Sequence, residues 1–166
     1  MPGADQQSTT HTKRRHRWRK ELEMQPAWRR VAAYVLCRDS DDRILLTRFV
    51  QDGNPESGSW TMPGGGMEWG EQPDDTAIRE LHEETGLQAS LGPVLGVFSR
   101  WLKPDEAVTG EPGHYVGIIY GTTEIQGELR TEFSDDTTDA AAWFSLEEVQ
   151  SITRVSLVDY VLTLLT

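Results

Sequence analysis

Residues 65–87 read GGMEWGEQPDDTAIRELHEETGL, a pattern that specifies a helix entered from a glycine-rich loop. Pro73 suits the first helical position, where its missing N–H would have no partner in any case. Asp74 and Asp75 complement the positive end of the helix dipole in the first turn. Gly86 is placed to end the helix, because glycine accepts the left-handed C-terminal conformation without strain. Between these limits lie Glu80, Glu83 and Glu84, whose spacings of three and four residues gather them on one face. Like charges so placed repel by a few tenths of a kcal/mol, roughly, per pair. Such a face calls for salt, a basic partner or a metal ion. Oxygen-only ligands suit a hard divalent cation, Mg2+ or Mn2+, rather than zinc. The plainer alternative is a solvated acidic helix.

The surrounding spacing favours the metal. Gly65, Glu71, Arg79, Glu80, Leu81, Glu83, Glu84, Gly86 and Leu87 together resemble the Nudix box and match each of its specified positions. The resemblance is strict over these 23 residues and looser over the body from about 29 to 166. It implies an α/β fold, a Nudix-type α/β/α sandwich around a mixed β-sheet, and hydrolysis of a phosphoanhydride bond in a nucleoside diphosphate derivative. By the same resemblance Glu83 and Glu84 are metal ligands, and Glu80 is a ligand or the general base. The carbonyl of Gly65, or of its neighbour Gly64, is a further ligand. Arg79 pairs with Glu71 and orients the carboxylates, the alternative being a plain surface ion pair. Relatives also use an acidic group on a loop before the last strand, often Glu-Thr. This chain has Asp136-Thr137 there, so Asp136 is a candidate ligand with a shorter reach, against the alternative of a solvated acidic loop.

Length and charge bound the rest. A chain of 166 residues buries one core and is short for two. No run of 18 apolar residues exists that could span a membrane, and no apolar stretch follows the basic N-terminal residues as in a secretory signal. One cysteine, Cys37, rules out an internal disulfide framework. The expected compartment is the cytoplasm. The net charge of −11 is uneven: residues 1–30 hold eight Lys/Arg against three Asp/Glu, and residues 31–166 hold eight against 24. An acidic body repels a polyanion unless bound cations offset it, which suits a metal-dependent enzyme better than a nucleic-acid scaffold.

The chain divides at about residue 25 into a basic tail (1–25) and a folded domain (26–166). The first 12 residues are polar and aperiodic, the composition of a disordered segment. The run KRRHRWRK (13–20) leaves contact with RNA or another phosphate-rich partner open, although a solvated tail is the commoner outcome for such runs. In the body, Val31 to Cys37 reads as a buried strand, RDSDD as a turn, and RILLTRFV as its hairpin partner. A loop over 51–59 leads to Trp60 and the glycine run. Strands are expected over 93–102, 114–125 and 141–146, with a polar loop over 103–113. Ser145-x-x-Glu148 forms a capping box, and Val155, Val158, Leu162 and Leu165 give the last helix an apolar stripe.

Substrate candidates are less constrained. Trp60, Trp69, Trp101 and Tyr115 offer faces for a base, although each is individually more often core or rim. Arg43, Arg48 and Arg100 offer charge to phosphate, Gly64 offers close backbone approach, and His82 and His114 are weaker donors. Trp69, Arg48, Trp60 and Gly64 form the expected substrate-binding set. An oxidised or non-canonical nucleoside triphosphate, as in MutT-like enzymes, leads the substrate classes. ADP-ribose or a nucleotide sugar follows, then a 5′-triphosphate RNA end. Isomerases of the same fold use a catalytic cysteine, and Cys37 lies too early on a strand for that role. A nucleotide-sensing domain without turnover is the alternative of a different class. A homodimer through the N-terminal segment or an edge strand is compatible with the residues, which do not demand it.

Overall fold

The computed structural model describes residues 26–53, 55–130, 133 and 137–165. Seven strands and three helices follow in the order β1 (Trp28–Leu36), β2 (Ile44–Phe49), β3 (Trp60–Thr61), β4 (Gly64–Gly66), α1 (Pro73–Thr85), β5 (Gln88–Leu102), β6 (Gly113–Gln126), β7 (Thr138–Phe144), α2 (Leu146–Val149) and α3 (Ser156–Leu164). The strands form a mixed sheet ordered β4-β1-β6-β5, with β1 and β6 parallel, and a second, antiparallel sheet ordered β3-β2-β7.

Alternation along the two central strands divides the core between their faces. Ala32, Tyr34 and Leu36 of β1, with Ile44 and Leu46 of β2, pack against Leu157, Val158 and Val161 of α3. Ala33, Val35 and Cys37, with Leu45, turn the other way onto Ala77 and Leu81 of α1. Helices thus cover both sides of the sheets, the α/β/α arrangement. Burying a side chain such as Leu81 is worth about 1.5–3 kcal/mol. Burial pushes the Cys37 thiol up to about 12, so this cysteine is an inert core residue.

The first helix follows its sequence signals closely. It begins at Pro73 and carries Asp74 and Asp75 in its first turn. It ends at Gly86, whose φ of 77° is left-handed and whose N–H donates to the His82 carbonyl. The capping box of Ser145 and Glu148 is present in both directions. Two expectations are corrected. β1 and β2 are not a hairpin: the turn after Cys37 closes on a single Arg38–Ile44 bridge, after which the strands enter different sheets. Asp39 shapes that turn by accepting from the Asp41 and Arg43 N–H groups. Strand β5 starts five residues earlier than expected, because register shifts between Ser90 and Gly96 let it stay paired with β6. Among the described residues no helix is long and apolar enough to cross a membrane.

Candidate active site

Helix α1 presents its acidic residues in two ways. Thr76, Ala77, Leu81, Glu84 and Thr85 form its buried face. Glu84, only 4% exposed, is therefore a carboxylate inside the protein. It accepts hydrogen bonds from the Gly64 N–H at 2.9 Å, the Thr138 hydroxyl at 2.8 Å and the Thr47 hydroxyl at 3.3 Å. These donors offset the cost of burying the charge. Gly64 has a φ of 143°, and a Cβ there would lie 2.3 Å from the Ala33 carbonyl oxygen. Only glycine fits.

Arg79 organises the remaining carboxylates. Its Nε and Nη2 donate to the two oxygens of Glu71 at 2.8 and 2.9 Å, a bidentate fork. Its Nη1 donates to Glu80 at 2.9 Å and Glu83 at 3.1 Å, and Nη2 also reaches the Gly66 carbonyl. The fork holds the Glu71 carboxyl down at about 2. Burial raises that of Glu80, with Arg79 opposing the shift. An ideal Cβ on Gly65 would lie 2.5 Å from the Glu80 carboxylate, so this side chain rests on bare backbone.

Among the described residues no group of three His, Cys, Asp or Glu side chains is arranged around one point to hold a metal, and Arg79 lies between Glu80 and Glu83. The donor chemistry nonetheless fits a hard cation. Glu80 and Glu83 each give Arg79 one oxygen, and their other oxygens have no hydrogen-bond donor among the described residues. Every nearby donor is oxygen, which suits Mg2+ or Mn2+.

The carboxylate face opens into a cavity of about 600 Å³. Trp28, Tyr34, Phe98 and Tyr115 give it aromatic walls, and Arg30, Arg100, Asp52, Glu56 and Glu106 supply its charges away from the helix. The Tyr34 and Tyr115 hydroxyls share a hydrogen bond. Burial pushes the Tyr34 phenol well above its ordinary value and that of Tyr115 up to about 12, so this wall is uncharged at neutral pH. Arg100 bridges Glu56 at 3.5 Å and Glu106 at 3.3 Å, and donates to the Ser156 hydroxyl.

Of the residues the sequence nominates, the structure brings together Gly64, Gly65, Glu71, Arg79, Glu80, Glu83, Glu84, Arg100 and Tyr115. Others lie elsewhere. Trp60 is partly buried against the core, edge-on to Phe144 at 4.7 Å, and Arg48 pairs with Asp139 while lying over the Trp60 ring. Trp69 is fully exposed and lines no part of the cavity. Arg43 is held by Asp39, and Trp101 contacts His114, which bonds Ser99. His82 is exposed in the last turn of α1. Asp136 and the basic run 13–20 lie outside the described residues.

Trp28, Arg30, Phe98 and Glu56 escape the sequence reading. Trp28, Arg30 and Tyr34 share one face of β1 by simple alternation. The exposed first half of that strand precedes its apolar run, so the pattern is invisible when the strand is started at Val31.

The NUDIX domain family model matches residues 28–164. The chain is 33% identical over 115 residues to an ADP-ribose pyrophosphatase of Methanocaldococcus jannaschii, covering 69% of this chain and 61% of that one. It is 39% identical over 72 residues to the mouse diphosphoinositol polyphosphate phosphohydrolase 3-alpha, covering 43% and 42%. It thus spans less than two thirds of the length of each of these relatives. Among solved structures, a MutT protein from Methanosarcina mazei superposes with a TM-score of 0.64 at 21% identity, covering 78% of this chain and 87% of that one. A MutT Nudix hydrolase from Burkholderia pseudomallei superposes with a TM-score of 0.58 at 28% identity, covering 72% and 84%. The chain belongs to the Nudix family.

Proposed function

We propose that this protein hydrolyses a phosphoanhydride bond in a nucleoside diphosphate derivative, with a nucleoside triphosphate of the oxidised or non-canonical kind as the leading substrate. One observation carries the reading: the acidic face of α1 and the aromatic walls meet in a single cavity. The walls suit a planar base, and the helix end suits a phosphate chain with its cation. Glu80, Glu83 and Glu84, with the Gly65 carbonyl, would hold a divalent cation, whose charge would neutralise the diphosphate. Glu80 and Glu83 between them cover the ligand role and the acceptance of a proton from attacking water. Arg79, tied to Glu71, keeps both in place.

The relatives' substrates weigh differently against the cavity. Beyond α1 its charged residues are Asp52, Glu56 and Glu106 against Arg30 and Arg100, an acidic excess, and Arg100 is already paired with two of the carboxylates. Such a lining repels a ring carrying many phosphates. Carboxylates accept readily from sugar hydroxyls, which makes ADP-ribose the second reading.

The test is magnesium-dependent hydrolysis over a panel of 8-oxo-dGTP, common dNTPs, ADP-ribose, dinucleoside polyphosphates and a 5′-triphosphate RNA. Glu83→Gln is the blank, since Glu83 is half-exposed and its loss spares the core. A preferred substrate lost in the blank supports the reading. Turnover that survives in the blank, or binding without any turnover, sinks it, and the latter outcome indicates a nucleotide sensor.

A further inference from the structure

Gly65 and Gly66 lie in the edge strand β4, and neither has a positive φ. Their backbone conformations are open to any residue, so what the missing side chains provide is room. On Gly65 the room is taken by the Glu80 carboxylate. On Gly66 an ideal Cβ would lie 2.7 Å from one Nη of Arg30 and 2.9 Å from its Cζ. Successive strand residues face opposite sides. The glycine ribbon therefore has a carboxylate resting on one face and a guanidinium on the other.

Arg30 differs from the other arginines near the site. Arg79 and Arg100 each form an ion pair, whereas Arg30 has none among the described residues. It lines the cavity that Gly65, Glu80 and Glu83 also line. An unpaired guanidinium fork next to a polyanion-processing helix is matched to two oxygens of a phosphate.

We propose that Arg30, seated on the bare backbone of Gly66, anchors the phosphate chain of the substrate on the side of β4 opposite the carboxylate helix. The inference rests on the reading of the site as a phosphoanhydride hydrolase. The diphosphate then lies across the edge of the sheet, and Gly66 is a glycine because a side chain there would displace the anchor.

The probe is inorganic pyrophosphate with magnesium present, its binding measured by calorimetry on wild type, Arg30→Ala, Arg30→Lys, Gly66→Ala and Arg29→Ala. Arg29 is exposed, alternates to the other face of β1 and lines no part of the cavity, so it controls for loss of one positive charge. Arg30→Ala should weaken pyrophosphate binding about tenfold or more, the scale of one charged contact. Arg30→Lys should recover part of this, and Gly66→Ala should weaken binding with Arg30 still in the chain. Arg29→Ala should stay within about twofold of wild type. With a hydrolysed nucleotide, Arg30→Ala should raise KM more than it lowers kcat. Equal effects at Arg29 and Arg30, unchanged binding in Arg30→Ala, or no pyrophosphate binding by wild type each overturn the anchor. Arg30-dependent binding in a protein that hydrolyses nothing on the panel would instead overturn the hydrolase reading alone.

Discussion

The carboxylate of Glu84 accepts a 2.9 Å hydrogen bond from the backbone N–H of Gly64, joining α1 to the glycine strand β4 that precedes it. With Thr47 and Thr138 also donating, Glu84 fixes three separate strands or loops to α1. Glutamine at this position removes the charge that these donors surround and makes the hydroxyl facing its amide nitrogen turn round to accept. Glu84→Gln should therefore lower stability by about 1–3 kcal/mol, a fall of roughly 2–12 °C in Tm for a chain of this size. Glu83→Gln, half-exposed, should stay within about 0.5 kcal/mol of wild type. Thermal denaturation of the two variants decides the matter, and equal midpoints would refute a structural role for Glu84.

The Glu71–Arg79 fork predicts a pH dependence. The Glu71 carboxyl falls from 4.5 to about 2 in the folded protein, chiefly because Arg79 donates to it. A depressed carboxyl contributes stability that is fully present above its unfolded value and is lost as the pH falls through the folded one. The contribution of Glu71 should thus disappear between about pH 4.5 and pH 2. Glu71→Gln should be less stable than wild type at pH 7, and the difference should shrink across that window. Chemical denaturation at a series of pH values measures it. A gap that stays constant down to pH 2 would mean the fork does not set this carboxyl.

Much of this site is legible in the residues because its determinants are local. The helix from Pro73 to Gly86, its acidic face and the Arg79 partnership all follow from spacing within one turn or one loop. The cavity is different. Trp28 and Arg30 precede the apolar core of β1, and only the parallel pairing of β1 with β6, which sets Arg30 opposite Tyr115, shows that they face a wall. Glu56 reaches the cavity from a loop, through Arg100 on β5. Trp60 and Arg48 mislead for the complementary reason. Cross-strand pairing sets them opposite each other, while Phe144 and Asp139 on the neighbouring elements engage both.

Divalent cation should stabilise the fold through the same carboxylates. A cation that binds only the folded state adds RT ln(1 + [L]/Kd), about 2.7 kcal/mol at a hundredfold excess over Kd. Adding magnesium or manganese after chelation should raise the Tm of wild type, and Glu80→Gln or Glu83→Gln should reduce the rise. Each variant replaces a carboxylate by an amide whose oxygen can still accept from Arg79, so the chelated forms should stay within about 1 kcal/mol of wild type. A rise in Tm that is the same in all three proteins would place the cation elsewhere.

The aromatic wall and the phosphate end can be separated experimentally through Trp28. Its indole lies over Gly113, where an ideal Cβ would come within 2.1 Å of the ring, and its Nε1 donates to the Glu111 carbonyl at 3.2 Å. Stacking of a base on such a face is worth roughly 1–3 kcal/mol, so Trp28→Ala should raise the KM of a nucleotide substrate about tenfold. Gly113→Ala should move the ring and reproduce part of the effect without removing it. Neither change touches the carboxylates or Arg30, so pyrophosphate binding should remain near the wild-type value in both. Trp69→Ala is the control: Trp69 is 105% exposed and outside the cavity, and its loss should leave KM unchanged. Steady-state kinetics with the best nucleotide, beside pyrophosphate calorimetry, reads both ends of the cavity at once. A KM that rises with Trp69→Ala and not with Trp28→Ala would move the base from the cavity to the loop ahead of α1.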